Sequence, residues 1–557
     1  MPNMNNKTII FFINIAVIIS VFQNLNAQNI SETAGVEITN LKKHGAVWVS
    51  DNGNGTYSNP IINADYSDPD AIRVGDDFYM TSSSFSNFPG LPILHSKDLV
   101  NWEIIGHAVP KYPYKSFNKP QHGNGIWAPS IRYHHGEYYI YYGDPDYGIF
   151  MTKAKNPAGP WSSLVLVKEA KGWIDPCPLW DDDGNAYIVH AWAHSRSGVK
   201  SILTVNKLSK DGTKILDDGK MVFDGRETEP TIEGPKFYKR YGFYYIFAPA
   251  GGVKPGWQVV LRSKNVYGPY EIKKVLEQGS TNINGPHQGA WVETQTGQSW
   301  FLHFQDRYAY GRVVLLEPMK WENNWPTMGV DYDKNGIGEP VSEYPKPDVG
   351  KTYPVEVPQT NDEFNSYRLG LQWQWEANPN PKYFSLTATK GNLRLYSQNP
   401  SADYKNLWDV PGLLGQKIPA DKFSVTVKLK FNPKQIGERT GLVMYGEDYA
   451  YIGVEKTNNG FKIIQNVCNK ASKEKKEEEV ASHNINNSAV YLRINVEPGA
   501  ICTFSYSIDG KRFTNLGKEF TAVAGRWVGA RIDIFSFAPD INTKTGYADY
   551  DWIRFEQ

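Results

Sequence analysis

The stretch Asp68-Pro-Asp-Ala-Ile-Arg-Val-Gly-Asp-Asp-Phe-Tyr-Met80 recurs four more times in altered form, and this recurrence decides the fold. The second copy is Ala128-Pro-Ser-Ile-Arg-Tyr-His-His-Gly-Glu-Tyr-Tyr-Ile140, and the third is Asp175-Pro-Cys-Pro-Leu-Trp-Asp-Asp-Asp-Gly-Asn-Ala-Tyr-Ile188. The fourth is Glu233-Gly-Pro-Lys-Phe-Tyr-Lys-Arg-Tyr-Gly-Phe-Tyr-Tyr-Ile246, and the fifth runs from His287 through Gly297 to Leu302. Each has a short alternating run, a polar turn carrying Gly75, Gly136, Gly184, Gly242 or Gly297, and then an aromatic-rich run. Glycine supplies the positive φ of a tight turn and alternation gives one buried face, so each copy reads as a β-hairpin. The copies start 60, 47, 58 and 54 residues apart. Propeller blades of four short strands have about this length, and five fit before the repeat stops. Turn-plus-aromatic units at Lys97-Asp98 to Trp102, Gly159-Pro160-Trp161 and Gly268-Pro269-Tyr270 mark the outer strands of three blades. A long β-sandwich would not explain a repeat with a fixed internal pattern.

Beyond the repeats, Pro345, Pro347, Pro354 and Pro358 stand among polar residues and form a semi-rigid connector. After it the chain shows strands of period two, such as Phe423 to Phe431 and Val490 to Val496, the turn Asp509-Gly510 and a closing run from Tyr547 to Phe555. The chain is therefore expected to be all-β: a five-bladed β-propeller over residues 28–340, a linker over 341–361 and a β-sandwich over 362–557.

Residues 1–27 read as a secretory signal peptide, with Lys7 before an apolar run from Ile9 to Phe22 and Ala27 at the cleavage point. That run is shorter than the roughly 20 residues of a membrane span, so the expected location is periplasmic or extracellular, with no membrane span. The 59 basic residues balance 59 acidic ones, which gives no electrostatic reason for a nucleic-acid partner and suits an uncharged substrate. Only Cys177, Cys468 and Cys502 occur, so no disulfide framework supports the fold; whether Cys468 and Cys502 pair is left open.

Inner strands of a propeller line its axis, so equivalent repeat positions meet in space. By the alignment above these positions hold Asp68, Ala128, Asp175, Glu233 and His287. An acid before proline often does no more than start a turn, but turn chemistry does not require three acids in register. Converging carboxylates cannot all ionise without cost, so at least one pKa should rise, as a general acid requires. Asp181-Asp182-Asp183-Gly184 lacks glycine at the sixth loop position of a calcium loop and reads as a hairpin turn. His107, His122, His134 and His135 show no metal-ligand spacing.

The segments Asp65-Tyr-Ser-Asp-Pro-Asp70, Phe88-Pro-Gly-Leu-Pro-Ile93, Trp127-Ala-Pro129, Trp173-Ile-Asp-Pro176 and Glu233-Gly-Pro235 together resemble glycoside hydrolase family 43. The region from about Asp362 to Gln557, with Gly370-Leu-Gln-Trp-Gln-Trp375, is similar to the jelly-roll or concanavalin-like sandwich that accompanies one group of that family. The resemblance implies an inverting hydrolase of α-L-arabinofuranosyl or β-D-xylosyl units in plant cell-wall glycans, acting from the chain end, with arabinofuranosyl favoured on family grounds. It implies that Asp68 is the general base, Glu233 the general acid, and Asp175 the carboxylate that orients Glu233 and raises its pKa. Arg312 matches an arginine that contacts the sugar or the catalytic carboxylates, and Phe85 and Trp127 match pocket walls, although both also suit core packing. No cofactor is required by this chemistry; His287 matches a histidine that in some members helps hold, through water, a structural calcium ion near the axis. Two other readings compete. A glycan-binding propeller without turnover would be free to lose the three acids. A retaining five-bladed fructosidase would open on Asn-Asp-Pro-Asn rather than Ser67-Asp68-Pro69-Asp70.

Overall fold

The computed structural model describes residues 45–540 and 544–557; the signal-peptide segment lies outside the described residues. Five four-stranded antiparallel sheets follow one another along the chain, each built from consecutive strands. Their inner strands are Asp70–Val74, Trp127–His134, Trp173–Trp180, Lys236–Arg240 and His287–Glu293, here the inner strands of blades I to V. The glycine turns stand where the sequence places them, between first and second strands. The aromatic runs on the second strands are largely structural: Phe78, Tyr138, Tyr139 and Tyr245 are buried.

Each seam between blades has its own apolar cluster. Ile93 and Phe88 of blade I pack with Ile131 and Ile140 of blade II, and Tyr139 and Tyr141 of blade II with Ile188 of blade III. Val189 packs with Phe237 and Ile246 across the third seam, and Phe247 with Phe301 and Met319 across the fourth. The ring closes where Ala71 and Phe78 of blade I meet Ala290 and Leu302 of blade V. Over that seam the segment entering blade I lies along the third strand of blade V: Ile62 pairs with Val314, and the Tyr66 N–H donates to Arg312 O at 3.1 Å. Part of the proline-rich connector is ordered by the same region, since Glu343–Pro345 pairs with Thr56–Ser58.

The inner strands share one irregularity. Trp127 pairs with Gly143 and Ser130 with Tyr141, so three steps on the inner strand face two on its neighbour, and blade III repeats this between Ile174 and Cys177. The extra residue of such a bulge needs an unusual backbone. Here the residues with positive φ are Asp68 (55°), Ala128 (32°), Asp175 (57°), Gly234 (56°) and Gln288 (41°). These five, not the aligned set, are the structural equivalents. The alignment is therefore off by one in blades IV and V: Glu233 and His287 stand one residue earlier, in the register of Ser67, Trp127 and Ile174. The proline after the bulge would have fixed the register, since Pro69, Pro129, Pro176 and Pro235 all follow it directly.

The sandwich has two antiparallel sheets, one centred on Arg531–Phe537 and Arg439–Tyr445, the other on Phe423–Asn432 and Tyr547–Glu556. Its core includes Trp375, Val425, Val427, Leu442, Ile452, Ile494 and Ile534. Cys177, Cys468 and Cys502 are all free and buried. The sandwich docks on the propeller through main-chain bonds: Phe88 and Trp375 exchange two, at 3.0 and 2.7 Å, and Ala530 N–H donates to Ala309 O at 2.7 Å.

Candidate active site

Asp68, Asp175 and Glu233 come from blades I, III and IV and line one cavity of about 120 Å³ with Phe85, Trp127, Arg312, Gln288 and Trp527. The bulge explains how acids on separate strands share a mouth. Asp68 and Asp175 occupy the bulged residue itself, a left-handed conformation that costs an L-residue about 1–2 kcal/mol, and are buried at 4% and 2% exposure. Glu233 precedes the bulge, and its side chain is more open, at 26%.

Each carboxylate is held differently. Asp68 Oδ2 accepts hydrogen bonds from Ser67 Oγ at 2.9 Å and Ser83 Oγ at 2.5 Å, and its Oδ1 lies 3.3 Å from Arg312 Nη1. Ser83 Oγ also accepts from the Ala128 N–H at 2.7 Å, which ties the Asp68 cradle to blade II. Arg312 Nη1 additionally donates to Ser67 Oγ at 2.7 Å. Asp175 Oδ2 accepts from the Gly234 N–H at 2.7 Å, which fixes it against the peptide following Glu233. Burial, and after it the charges of Glu233 and Asp68, push the Asp175 carboxyl well above the usual carboxylate range, against the Gly234 N–H and the Lys236 ammonium. Glu233 Oε1 meets His287 Nε2 at 2.9 Å, with His287 fully buried.

The aromatic residues form one side. Phe85 and Trp127 pack edge-to-face with ring centres 6.3 Å apart, and Trp127 meets Trp527 at 6.3 Å. Phe85 is buried at 4% exposure, and the main chains of Phe85 and Ile126 exchange two hydrogen bonds, so it joins blade I to blade II as well as lining the cavity. Trp127 is half-buried and donates from Nε1 to Gly123 O at 2.9 Å. Trp527 comes from the sandwich, on the loop before Ala530, and is absent from the sequence-based set because no local pattern connects it to the propeller. Gln288, the bulge residue of blade V, was hidden by the one-residue register error. Beyond Trp527 the cavity opens into a wider cleft between the domains, lined by Lys254, Tyr308, Glu447 and Arg526.

An axial calcium held through His287 would draw most of its oxygen ligands from water. Calcium takes six to eight oxygen ligands. His287 offers nitrogen, its Nε2 is taken by Glu233, and its buried Nδ1 has no partner among the described residues. No group of three or more His, Cys, Asp or Glu among the described residues is placed to hold a metal ion.

The family model for glycosyl hydrolases family 43 matches residues 57–326, and that for the beta xylosidase C-terminal concanavalin A-like domain matches residues 361–556. A beta-xylosidase of Formosa agariphila is 35% identical, covering 91% of each chain. The non-reducing end alpha-L-arabinofuranosidase BoGH43B of Bacteroides ovatus is 31% identical over 90% of this chain and 94% of its own. Among solved structures, the GH43 BlXynB protein of Bacillus licheniformis superposes with a TM-score of 0.76 at 26% identity, covering 90% of this chain and 99% of that one. Three carboxylates converging in one cavity of a five-bladed propeller, capped by a concanavalin-like sandwich, thus belong to a chain that is a glycoside hydrolase of family 43.

Proposed function

We propose that this enzyme removes single terminal pentosyl units, β-D-xylosyl first and α-L-arabinofuranosyl second, from plant cell-wall glycans or their oligosaccharides, with inversion at the anomeric carbon. The observation that carries the reading is the convergence of Asp68, Asp175 and Glu233 from three blades in a cavity walled by Phe85, Trp127 and Trp527. Placing xylosyl before arabinofuranosyl follows the identities, since the 35% relative is named a beta-xylosidase and the 31% relative an arabinofuranosidase. The apolar run before Ala27 supports export to the periplasm or beyond.

In this mechanism Asp68, fixed by two serine hydroxyls and Arg312, accepts the proton of the attacking water. Glu233, exposed enough to meet the glycosidic oxygen, delivers a proton to the leaving group. Inversion requires two carboxyls roughly 6.5–9.5 Å apart with water between them, which suits residues on blades I and IV. Asp175 anchors the peptide after Glu233 and adds negative charge beside it. Trp527 limits the depth of the sugar site, so the chain end enters and the rest of the glycan lies in the interdomain cleft.

Product analysis on linear xylo-oligosaccharides tests the reading, with NMR assignment of the first anomer formed. Release of xylose alone with inverted configuration is expected; internal fragments or a retained anomer would overturn it. Relative rates on nitrophenyl xylopyranoside and arabinofuranoside fix the order of preference.

A further inference from the structure

Lys236 opens the inner strand of blade IV and is fully buried, yet its ammonium reaches blade II, where Nζ donates to Pro129 O at 3.1 Å and Ser130 Oγ at 3.2 Å. Blade III separates blades II and IV on one side, and blades V and I separate them on the other. A side chain that joins them therefore passes through the central channel, on the inner side of blade III. A second cation enters from the other direction: Arg132 of blade II donates to Asp70 of blade I at 2.7 Å and to Cys177 of blade III at 2.8 Å. Its guanidinium lies 5.2 Å from the ring centre of Tyr238 in blade IV. Asp70 neutralises Arg132, but among the described residues no carboxylate hydrogen-bonds to Lys236.

We infer that the Lys236 ammonium is the resident axial cation of this propeller, standing where an inorganic ion would otherwise be needed, and that it is a positioning residue for Asp175 beneath the sugar pocket. An ammonium held by a carbonyl and a hydroxyl is a fixed positive charge, and it lies two residues along the chain from the Gly234 N–H that binds Asp175. It opposes the upward push on Asp175, which burial, Glu233 and Asp68 all drive. The other charged or titratable groups facing this part of the axis are Arg132 with Asp70, Cys177 and Tyr238, and His287 against Glu233. Asp70 is already committed to Arg132, and a divalent ion on the axis would meet two protein cations at close quarters.

The kinetic arm of the test rests on the roles proposed for Asp175 and Glu233, whereas the metal arm does not. In the metal arm, wild-type protein is incubated with calcium, desalted and analysed for bound metal, and its Tm and kcat/KM are compared before and after EDTA. Less than a tenth of an equivalent of calcium and unchanged Tm and kcat/KM are expected. Stoichiometric calcium, or an EDTA loss restored by calcium, would overturn the inference whatever the catalytic roles. In the kinetic arm, Lys236→Met keeps the volume and removes the charge. It should lower kcat/KM about tenfold or more and move the acidic limb of the pH profile to higher pH, because Asp175, which acts in its charged form, loses a favourable charge and ionises later. Lys236→Ala should regain activity with added methylammonium, at concentrations that leave the wild type unchanged. A Lys236→Met profile that overlays the wild type overturns the positioning role, and if neither variant folds, the metal arm alone decides.

Discussion

Asp65 Oδ2 accepts a 3.0 Å hydrogen bond from the Gly529 N–H, a bond that crosses the domain boundary, while Asp65 Oδ1 accepts from the Arg312 N–H at 2.8 Å. One buried carboxylate thereby fixes both the arginine beside Asp68 and the loop that carries Trp527. Replacing Asp65 by Asn turns one acceptor into a donor facing an N–H, and a buried group left unsatisfied costs about 1–3 kcal/mol. Asp65→Asn is expected to lower Tm by several degrees and to reduce kcat/KM mainly through a higher KM, as measured by thermal denaturation and steady-state kinetics.

Glu233 bonds to His287 on one side and faces the cavity on the other, so its replacement should act on proton delivery rather than on shape. Glu233→Gln is expected to reduce kcat on a xylo-oligosaccharide by about 10²–10⁴-fold, and far less on an aryl glycoside with a good leaving group. Xylose binding, followed by tryptophan fluorescence, should survive. Equal losses on both substrates would remove Glu233 from the acid role.

Trp527 touches the Trp127 ring and lies 6.0 Å from the Arg312 guanidinium. An aromatic pair contributes about 0.5–1.5 kcal/mol. Trp527→Ala is expected to raise KM for a short substrate about three- to tenfold and to let internal cleavage products form from longer chains, read by chromatography of the digest.

The raised Asp175 carboxyl has a stability consequence of definite sign. The folded state holds this proton at pH values where the unfolded chain has lost it, so between the ordinary value of 3.8 and the raised folded value, stability falls as pH rises. Asp175→Asn keeps an acceptor for the Gly234 N–H and abolishes that titration. Its Tm should exceed the wild type's at pH 7–8, with the gap closing toward pH 4, while activity is lost. A constant gap across that range would show that Asp175 does not titrate as described.

Much of the propeller is legible because its signals are local. Gly75, Gly136 and Gly184 close turns within one hairpin, and the spacing of the copies counts the blades. The acids were visible for the same reason: each begins an inner strand. Register was harder. In blades I to III the aligned residue is the bulge residue, but in blade IV Glu233 precedes the bulge, and a pattern built on the acid rather than on the following proline slips by one. What joins distant segments was not legible. Trp527 lies 400 residues from Trp127 in the chain and meets it because the sandwich docks on the propeller, through Phe88 and Trp375, Ala530 and Ala309, and Gly529 and Asp65. Lys236 reads as an ordinary strand lysine until the ring closes and its ammonium meets Pro129 and Ser130 of blade II.

The segment that closes the ring also has a bearing on how this enzyme can fail. Ile62 pairs with Val314 and Tyr66 with Arg312 on the seam between blades V and I, and the same Arg312 reaches back to Ser67 and Asp68. A propeller whose first and last blades part by an ångström would therefore lose the setting of its water-activating carboxylate before any hairpin melts. Catalytic rate is in this sense a gauge of ring integrity, and heat or denaturant should silence the enzyme at doses that leave its β-sheet signal intact.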